Sequence, residues 1–365
     1  MALASVLITG GTGLIGSHLA GKLAQCGYNV TVLGKSSRFA VPEAVPQAVA
    51  DRVAVIAGDS SDPETLAELV EKADVVFHKA ASVGMAGAVE SARDYVGANM
   101  AGTANLIDAL RTPGSKVKKV ILGSSVSVYG EGNYNCPRCG LVRPELRGAA
   151  AKPASTGQSW NPPCPICAGG IEAVPTAENS VCKGESIYAV TKKAQEDLLT
   201  GVCRQFGLPL TILRYSTVLG PGQSWHNPYT RVLELLAAGE APVIHEDGMQ
   251  TRDFIFVDDL VEANILALTQ QDAAIDLFNV ASLHMPLLHF VQNISQAVAS
   301  ALSRKAVEPL VDGKLIAGDV RHCWVDAARL TEKFGFTPRQ DMAQGAQSLV
   351  EWFVRFKGLV PAPRS

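Results

Sequence analysis

The sequence has no long hydrophobic run and no block of charge of one sign. None of its apolar stretches reaches the ~20 residues that a bilayer-spanning helix requires, so a membrane-embedded protein is not predicted. Its 32 basic and 35 acidic residues give a net charge of −3 without the positive patch that nucleic acid or anionic membranes require. With 47% hydrophobic and 18% charged residues in 365, we expect about two globular domains and a small-molecule ligand.

The amino terminus also lacks the basic segment that precedes the apolar core of a secretory signal. Its short apolar run ends at Thr9 and continues directly into glycines, which is typical of a first β-strand. We therefore expect a cytoplasmic protein, in which cysteines stay reduced.

Short apolar runs alternate with amphipathic stretches through the first half of the chain. The predicted strands are 5–9, 29–33, 53–57, 75–78, 117–123 and 210–214, and the predicted helices are 14–25, 62–72, 88–110 and 185–206. This alternation is typical of an α/β fold with a doubly wound, Rossmann-type parallel sheet.

Interruptions of this pattern suggest the domain boundaries. The dinucleotide-binding domain is predicted to comprise 1–132 and 177–215, with a return to the sheet in about 250–270. Residues 133–176 contain a stretch rich in Pro, Gly, Ala and Cys and are predicted to form an inserted module. Residues 216–249 and 271–365 are predicted to form a smaller substrate-binding lobe.

A glycine-rich loop connects the first predicted strand to the first predicted helix. Glycines permit a tight turn and a close approach of a diphosphate to the backbone, and the helix N terminus offers free N–H donors. The sequence therefore predicts a dinucleotide site formed by Gly10, Gly13, Leu14, Ile15 and Gly16.

The end of the second predicted strand carries no acidic residue. An NAD site usually has a carboxylate there to accept the ribose hydroxyls. This chain has Gly34, Lys35, Ser36 and Arg38 instead, and two cations with hydroxyls suit the 2′-phosphate of NADP. The alternative is a solvated loop, so the cofactor is predicted as NAD or NADP. Asp59, after the third strand, is predicted either to bind adenine or to belong to a helix N-cap region.

Tyr188 and Lys192 are four residues apart in a predicted helix, which places both side chains on one face. A phenol with a pKa of ~10 is a poor base, and a neighbouring ammonium favours its ionised form. Tyr188 could then take a proton from an alcohol whose hydride leaves for a nicotinamide. The predicted strand that leads to Ser125 can bring a hydroxyl to the same oxygen. The spacing alone also occurs by chance on amphipathic helices.

Four of the eight cysteines form two Cys-x-x-Cys pairs in the inserted module. Cys136 and Cys139 are separated by 24 residues from Cys164 and Cys167, which is the spacing of zinc ribbons. Four thiolates complete a tetrahedral shell with no position for water, so a structural Zn²⁺ is predicted. Disulfides or free thiols are the alternatives. The cysteines without such spacing are expected to be packing residues: Cys26, Cys182, Cys203 and Cys323.

Together these motifs resemble the extended short-chain dehydrogenase/reductase family of NAD(P)-dependent nucleotide-sugar epimerases and dehydratases, along nearly the whole chain. Within it, the segments that begin at Tyr129, Gly220 and Gly318 are most similar to dTDP-L-rhamnose 4-epimerases, which also carry a cysteine-rich insertion. The resemblance implies a dTDP- or UDP-linked sugar as substrate and a homodimer formed through helices 88–110 and 185–206. Dehydratases of the family have an acidic pair where this chain has Val126 and Ser127.

The resemblance also implies site residues. Catalysis is assigned to Ser125, Tyr188 and Lys192. The predicted cofactor contacts include the glycine loop, Tyr188, Lys192 and the loop after the second strand, which contains Gly34, Lys35, Ser36 and Arg38. The other predicted cofactor contacts are Asp59, Ser60, Ala80, Ala81 and Asn99. The predicted substrate contacts are Ser82, Ser125, Val126, Ser127, Tyr188, Thr217, Arg252 and Arg321, although the family generally has Asn where Thr217 stands.

Three functions remain open from the sequence. The first is a nucleotide-sugar 4-epimerase that oxidises C4 transiently and returns hydride to the opposite face. The second is an NADPH-dependent reductase of a nucleotide-linked 4-keto sugar, and the third is a catalytically silent sugar-nucleotide-binding protein. The inserted module is expected to shape the substrate entrance or a subunit contact; the alternative is a remote decoration.

Overall fold

The computed structural model describes residues 4–82, 92–148, 159–225, 227–270 and 274–359. None of the helices in these residues is both long and apolar enough to cross a membrane. The strands found there are β1 (Ser5–Thr9), β2 (Asn29–Gly34), β3 (Val53–Ala57), β4 (Val75–His78), β5 (Lys119–Ser125), β6 (Asn133–Cys136), β7 (Gly140–Val142), β8 (Glu172–Val174), β9 (Leu210–Tyr215), β10 (Thr217–Leu219), β11 (Val243–Ile244), β12 (Thr251–Phe256), β13 (Ile275–Val280), β14 (Leu283–Pro286) and β15 (Leu310–Val311). The α-helices are α1 (Leu14–Gln25), α2 (Pro63–Glu71), α3 (Ala92–Tyr95), α4 (Gly102–Arg111), α5 (Ile187–Phe206), α6 (Pro228–Ala238), α7 (Val257–Thr269), α8 (Leu287–Ala301), α9 (Ala328–Phe334) and α10 (Met342–Lys357).

Seven strands form a parallel sheet in the order β13-β9-β5-β4-β1-β2-β3, which confirms the predicted α/β fold. Helices cover both faces, so successive residues of one strand enter different cores. Val6 and Ile8 pack in the cluster that includes α1 and α7 residues. Leu7, between them, packs in the cluster that includes residues of α2, α4 and α5.

The strand order reverses between β1 and β4, and the connections after these two strands diverge to opposite sides. In such sheets the divergence opens a crevice at the carboxyl ends of the strands, where ligands bind. The glycine loop follows β1, Ala80 and Ala81 follow β4, and Ser125 ends β5. The topology therefore brings three separately predicted segments to one edge of the sheet.

The lobe and the inserted module have cores of their own. Lobe helices α6, α8 and α10 pack with β10 and β12 around Phe254, Phe290 and Phe353. In the module, β6 pairs antiparallel with β7 and β8. Its buried cluster, as far as the described part of the module shows, consists of Tyr134, Cys136, Val142, Cys164 and Ile171.

The chain returns to the main sheet later than the sequence analysis expected. The segment 253–269 contains most of β12 and helix α7, and β12 pairs with β10 and β14 in a separate small sheet. The strand that returns to the main sheet is β13, which lies beside β9. The reason is that β12 bridges two cores: Ile255 packs under the main sheet, whereas Phe254 and Phe256 pack in the lobe. The domain boundaries themselves stay predictions.

The predicted helix 88–110 is divided within the described residues. Its first positions, 88–91, lie outside them, and a π-helical segment, Val96–Ala101, separates α3 from α4. The buried Asn99 lies in this wider turn; its Oδ1 accepts from the backbone of Ser82 at 2.7 Å, and its Nδ2 donates to Thr191 at 2.9 Å. The π turn thus aims an amide at the segment that follows β4, a common use of such turns near functional sites.

Candidate active site

A cavity of about 590 Å³ opens at the carboxyl ends of the strands, between the main sheet and the lobe. The glycine loop and the end of β5 line one side, and Thr217 and Arg252 come from the lobe side. Tyr188 and Lys192 also face this cavity. The crevice therefore contains the three predicted catalytic residues together with predicted cofactor and substrate contacts.

The glycine loop has no room for side chains where the backbone must turn. Gly10 has a φ of +67°, and a Cβ there would lie 2.7 Å from the backbone of Ala80. A Cβ on Gly16 would lie 2.3 Å from Gly11 Cα. Gly13 is the N-cap of α1 without a side-chain capping bond, so N–H groups of the first turn are left for a ligand. This loop fits the diphosphate of a dinucleotide.

The loop after β2, which is predicted to bind the adenosine half of the cofactor, has cations where the sequence analysis expected an acid. A Cβ on Gly34 would lie 2.2 Å from Thr12 Oγ1, so no acidic side chain could stand at that position without displacing Thr12. Lys35 is 76% exposed and lies 3.2 Å from Asp59, while Arg38 is exposed. Partial burial favours a higher pKa for Asp59, but hydrogen bonds from Ser61 and Lys35 bring that pKa below its usual value.

Three further residues are predicted cofactor contacts: Ser36, Ser60 and Ala81. Ser36 accepts a hydrogen bond from the backbone of Arg38 at 3.0 Å. Ser60 is buried, and its Oγ would lie 2.6 Å from a Cβ on Gly102, so this glycine permits a close approach of α4. Ala81 lines the cavity.

Helix α5 positions the candidate acid–base pair. Its N-cap Ser186 accepts a hydrogen bond from the backbone of Ala189, which fixes the helix start at Ile187, directly before Tyr188. Burial raises the pKa of Tyr188 to about 12, although a hydrogen bond with Ser125 opposes the shift. The phenol is therefore protonated near neutral pH in this arrangement.

Lys192 is buried, and its ammonium bonds to the scaffold. The Nζ atom donates to the carbonyl of Gly123 at 2.7 Å and to Gln195 Oε1 at 2.8 Å. Burial lowers the pKa of Lys192 to about 8, against the opposing effect of Glu196. The ammonium predicted to assist Tyr188 thus lies beside the cavity, but in this structure it donates its hydrogen bonds to Gly123 and Gln195.

Unsatisfied polar atoms point to a polar ligand. Among the described residues, Ser127 Oγ, Ser216 Oγ and Gln223 Oε1 are buried without a hydrogen-bond partner, and all three residues line the cavity. Buried polar groups are normally paired. Hydroxyl groups of a bound sugar could satisfy these atoms.

The two predicted arginines have different surroundings. Arg252 lines the cavity and pairs with Asp319 at 2.8 Å. Arg321 is 4% exposed and pairs with Glu246 at 2.8 Å and with Asp247 at 2.7 Å. The structure therefore brings Arg252 to the cavity wall and engages Arg321 in an ion-pair cluster away from the cavity lining.

Sequence reasoning missed several residues of the site. Lys79, directly after β4, lines the cavity and donates to Tyr215 OH at 2.7 Å. Glu185 also lines it, and burial raises its pKa. Cys323, expected only to pack, is another lining residue. Alternation along β4 could have revealed Lys79, since its buried neighbour His78 points to the opposite face.

The four predicted metal ligands come together. The sulfur atoms of Cys136, Cys139, Cys164 and Cys167 all lie within 4.8 Å of one another. Four converging thiols are the donor set of a structural Zn²⁺. Of the other cysteines, Cys203 is buried as expected, whereas Cys26 is exposed.

The module is joined to the lobe by buried polar contacts. Arg147 of the module pairs with Glu246 at 2.6 Å, and Glu246 also pairs with Arg321. Asn161 Oδ1 accepts from His322 Nε2 at 2.9 Å. Leu146 lines the cavity, so the module contributes directly to the wall of the site.

Comparisons with known proteins agree with this geometry. A sequence model described as the NAD dependent epimerase/dehydratase family matches residues 6–142 and 167–281. The chain belongs to this family. That membership confirms the prediction that the protein is an enzyme of the extended short-chain dehydrogenase/reductase type. The two matched parts leave out residues 143–166, which lie inside the cysteine module.

Individual relatives share nearly the full length of the chain. It is 30% identical to a dTDP-L-rhamnose 4-epimerase of Burkholderia thailandensis, over 96% of this chain and 95% of that protein. It is also 30% identical to a UDP-N-acetyl-alpha-D-glucosaminuronate decarboxylase of Bacillus cytotoxicus, over 95% of this chain and 97% of that protein.

Solved structures extend the comparison. A UDP-N-acetylglucosamine 4-epimerase of Methanobrevibacter ruminantium superposes with a TM-score of 0.75 at 26% identity, covering 98% of this chain and 100% of that one. MoeE5, solved with UDP-glucuronic acid and NAD, superposes with a TM-score of 0.73 at 26% identity, covering 96% and 99%.

Proposed function

We propose that the protein is a nucleotide-sugar 4-epimerase of the dTDP-L-rhamnose/dTDP-6-deoxy-L-talose type. The observation that carries the proposal is the convergence of Ser125, Tyr188 and Lys192 on one cavity beside a glycine loop with space for a dinucleotide. The relative from Burkholderia thailandensis supports the choice of sugar nucleotide.

The chain's residues divide the acid–base work. A bound NAD(P), held by the glycine loop, supplies a reversible hydride carrier for C4 of the sugar. Tyr188 takes the proton of the C4 hydroxyl and later returns a proton to the same oxygen, while Ser125 hydrogen-bonds that oxygen. When the cofactor is bound, Lys192 would hold its ribose, and the ammonium would favour the ionised form of Tyr188 that accepts this proton.

The substrate is held by the lobe and by the loop after β5. Ser127, Ser216 and Gln223 offer their unpaired polar atoms to sugar hydroxyls. Arg252 suits the diphosphate, since a guanidinium binds phosphate oxygens in pairs. Val126 and Ser127 occupy the positions at which related dehydratases carry acids, which favours epimerisation over elimination of water.

The second candidate is an NADPH-dependent reductase of a nucleotide-linked 4-keto sugar. The observation that favours it is the exposed pair Lys35 and Arg38 after Gly34, in a loop that has no carboxylate. We propose NAD or NADP as cofactor on the same residues, with the cations favouring the phosphorylated form.

Incubation of the purified protein with dTDP-L-rhamnose and no added cofactor separates these candidates. The proposal predicts conversion to the C4 epimer without net change in NAD(P)H absorbance. An absolute requirement for stoichiometric NADPH would replace it with the reductase. No turnover by the wild type under either condition would instead favour the silent binding protein, and a Tyr188→Phe variant with wild-type turnover would exclude Tyr188 as the acid–base residue.

For the inserted module, we propose a structural Zn²⁺ held by Cys136, Cys139, Cys164 and Cys167. Four thiolates leave no open coordination position, so the ion stabilises the module and takes no part in catalysis. Such a site needs reduced cysteines, which agrees with the cytoplasmic location we propose. Through Leu146 and Arg147, the module shapes the substrate side of the cavity.

We also propose a homodimer in which α5 packs against its copy in a second subunit. Ile187, Val190 and Leu198 are 46%, 54% and 40% exposed and lie along one stripe of this helix. Exposed apolar stripes of this kind mark protein contacts. Sedimentation at micromolar concentration should give a dimer, and a Leu198→Glu variant should shift it towards monomer.

A further inference from the structure

Lys79 is a cation of the cavity to which the proposed chemistry gives no role. It follows β4, and its side chain crosses beneath the ends of β5 and β9. There Nζ donates to Tyr215 OH at 2.7 Å and to the carbonyl of Ile121 at 3.4 Å. Tyr215 OH in turn donates to Asn264 Oδ1 at 2.8 Å. This chain of donors fixes the position of the ammonium.

The ammonium is held by neutral groups only. Within the described ranges, no carboxylate pairs with Lys79; its Nζ lies 5.3 Å from the ring centres of Phe77 and Tyr215. Burial, and secondarily the charge of Lys192, lower the pKa of Lys79 well below its usual value. The protonated form of Lys79 is therefore disfavoured here, and a further positive charge in the cavity disfavours it more.

The occupant is the nicotinamide end of the cofactor, an assignment that rests on the proposed function. Ser125 and Tyr215 are partners in the register of β5 and β9. Ser125 and Tyr188 hold the alcohol whose carbon exchanges hydride, so the nicotinamide ring must lie beside the same strand ends. Lys79 therefore faces the redox-active half of the dinucleotide, whereas Lys35 faces the adenosine half.

We infer that Lys79 makes the bound dinucleotide a stronger oxidant, by disfavouring the oxidised ring relative to the reduced ring. The oxidised nicotinamide carries a positive charge and the reduced ring is neutral, so the protonated form of Lys79 repels only the oxidised form. This bias promotes removal of hydride from C4, the demanding half of an epimerisation. Lys79 thus acts on the cofactor's redox balance, separately from the proton transfer at Tyr188.

The competing explanation is that Lys79 binds the cofactor diphosphate. Both oxidation states carry the same diphosphate, so this alternative predicts equal effects on the affinities of NAD⁺ and NADH. The ratio of the two dissociation constants therefore separates the explanations without any measurement of turnover.

The test measures equilibrium binding of NAD⁺ and NADH to the wild type and to Lys79→Met, Lys79→Arg and Lys35→Met. We expect the ratio Kd(NAD⁺)/Kd(NADH) to fall about tenfold in Lys79→Met, equivalent to ~30 mV for a two-electron couple, and to be retained in Lys79→Arg. The matched control Lys35→Met should change both constants by the same factor. An unchanged ratio in Lys79→Met, or an equal loss of both affinities, would overturn the inference.

A measurement on the wild type keeps the inference testable if Lys79→Met does not fold. The potential of the bound cofactor, read from nicotinamide absorbance against a dye couple, should be more positive than that of the free cofactor. An equal or more negative potential would contradict the role of Lys79. If neither NAD⁺ nor NADH binds to the wild type, both the proposed function and the inference about Lys79 fail. If both bind and the ratio Kd(NAD⁺)/Kd(NADH) is unchanged in Lys79→Met, the inference about Lys79 alone fails.

Discussion

The main sheet and the cysteine module are stabilised in different ways. The sheet is buried between two large apolar clusters, so hydrophobic burial holds its strands in place. Among the described residues of the module, five form its buried cluster, and two of these are cysteines of the four-sulfur group. Apolar side chains are enough to hold the sheet, whereas the module has a small core, contacts with the lobe and the four converging thiols that we propose bind Zn²⁺.

The largest expected effect lies in the sheet region. Tyr188→Phe removes the proposed acid–base hydroxyl and should lower kcat by ~10²–10⁴-fold. Bound zinc and the melting temperature should stay near wild type, because the module is untouched. The remote variant Tyr28→Phe is the matched control and should keep wild-type turnover. A loss of zinc in Tyr188→Phe would show that the two regions are not separable.

Removal of metal ligands tests the other side of the comparison. Cys136→Ser with Cys139→Ser should release one equivalent of zinc and lower the free energy of unfolding by several kcal/mol, since structural zinc contributes ~10 kcal/mol in small peptides. KM should rise more than kcat falls, because the module borders the substrate side of the cavity. Cys26→Ser, at an exposed cysteine outside the cluster, is the control. Zinc loss with unchanged KM, kcat, oligomeric state and melting temperature would contradict the structural role.

The contact between module and lobe should be the next most sensitive. Glu246 is 3% exposed and pairs with both Arg147 and Arg321, so Glu246→Gln leaves Arg147 without its carboxylate and Arg321 with Asp247 alone. Breaking a buried pair costs ~3–5 kcal/mol, and the unfolding free energy should fall by about that amount. The surface pair Lys118–Asp74, with Lys118 76% exposed, is the control. Lys118→Met should lower the unfolding free energy by less than ~1 kcal/mol. Equal losses of unfolding free energy in the two variants would contradict the greater importance of the buried contact.

The main sheet and the contact between module and lobe each contain one buried histidine. Burial lowers the pKa values of His78, in β4, and His322, at the module–lobe contact, to about 3. Between that value and the unfolded pKa of ~6.5, the unfolded chain binds more protons, so stability falls as the pH falls. At pH 5 each histidine should cost ~2 kcal/mol relative to neutral pH.

Urea unfolding at pH 7 and pH 5 measures this acid sensitivity. His322→Gln should unfold with a smaller difference between the two pH values than the wild type. A full wild-type difference in that variant would exclude His322 as a source.

The smallest predicted effect concerns the adenosine end of the crevice. Lys35→Met should weaken binding of NADPH relative to NADH by about tenfold if the cation binds the 2′-phosphate, equivalent to ~1.4 kcal/mol. Arg38→Met should act in the same direction. Equal affinities of the wild type for NADPH and NADH would instead show that Lys35 and Arg38 belong to a solvated loop that does not bind the 2′-phosphate.

Much of the sheet could be predicted because its strands are short, apolar and separated by helix patterns. The predicted strand 53–57 and helix 14–25 coincide with β3 and α1. The segment 253–269 was harder, because Phe254 and Ile255 serve two different cores and a local pattern does not distinguish them. The helix 88–110 could not be resolved either, since its π turn depends on Asn99 reaching Ser82 and Thr191.

The sequence by itself determined the elements whose signal is local: the glycine loop, the i,i+4 placement of Tyr188 and Lys192, and the two Cys-x-x-Cys pairs. Periodicity and backbone freedom are properties of neighbouring residues, so these features needed no knowledge of the fold. Only the tertiary structure decided that Lys79 faces the cavity with Tyr215, that Arg321 is engaged with Glu246, and that the module contacts the lobe. Those outcomes depend on contacts between residues far apart in the chain, where burial and charge pairing select among arrangements that a local pattern leaves equivalent.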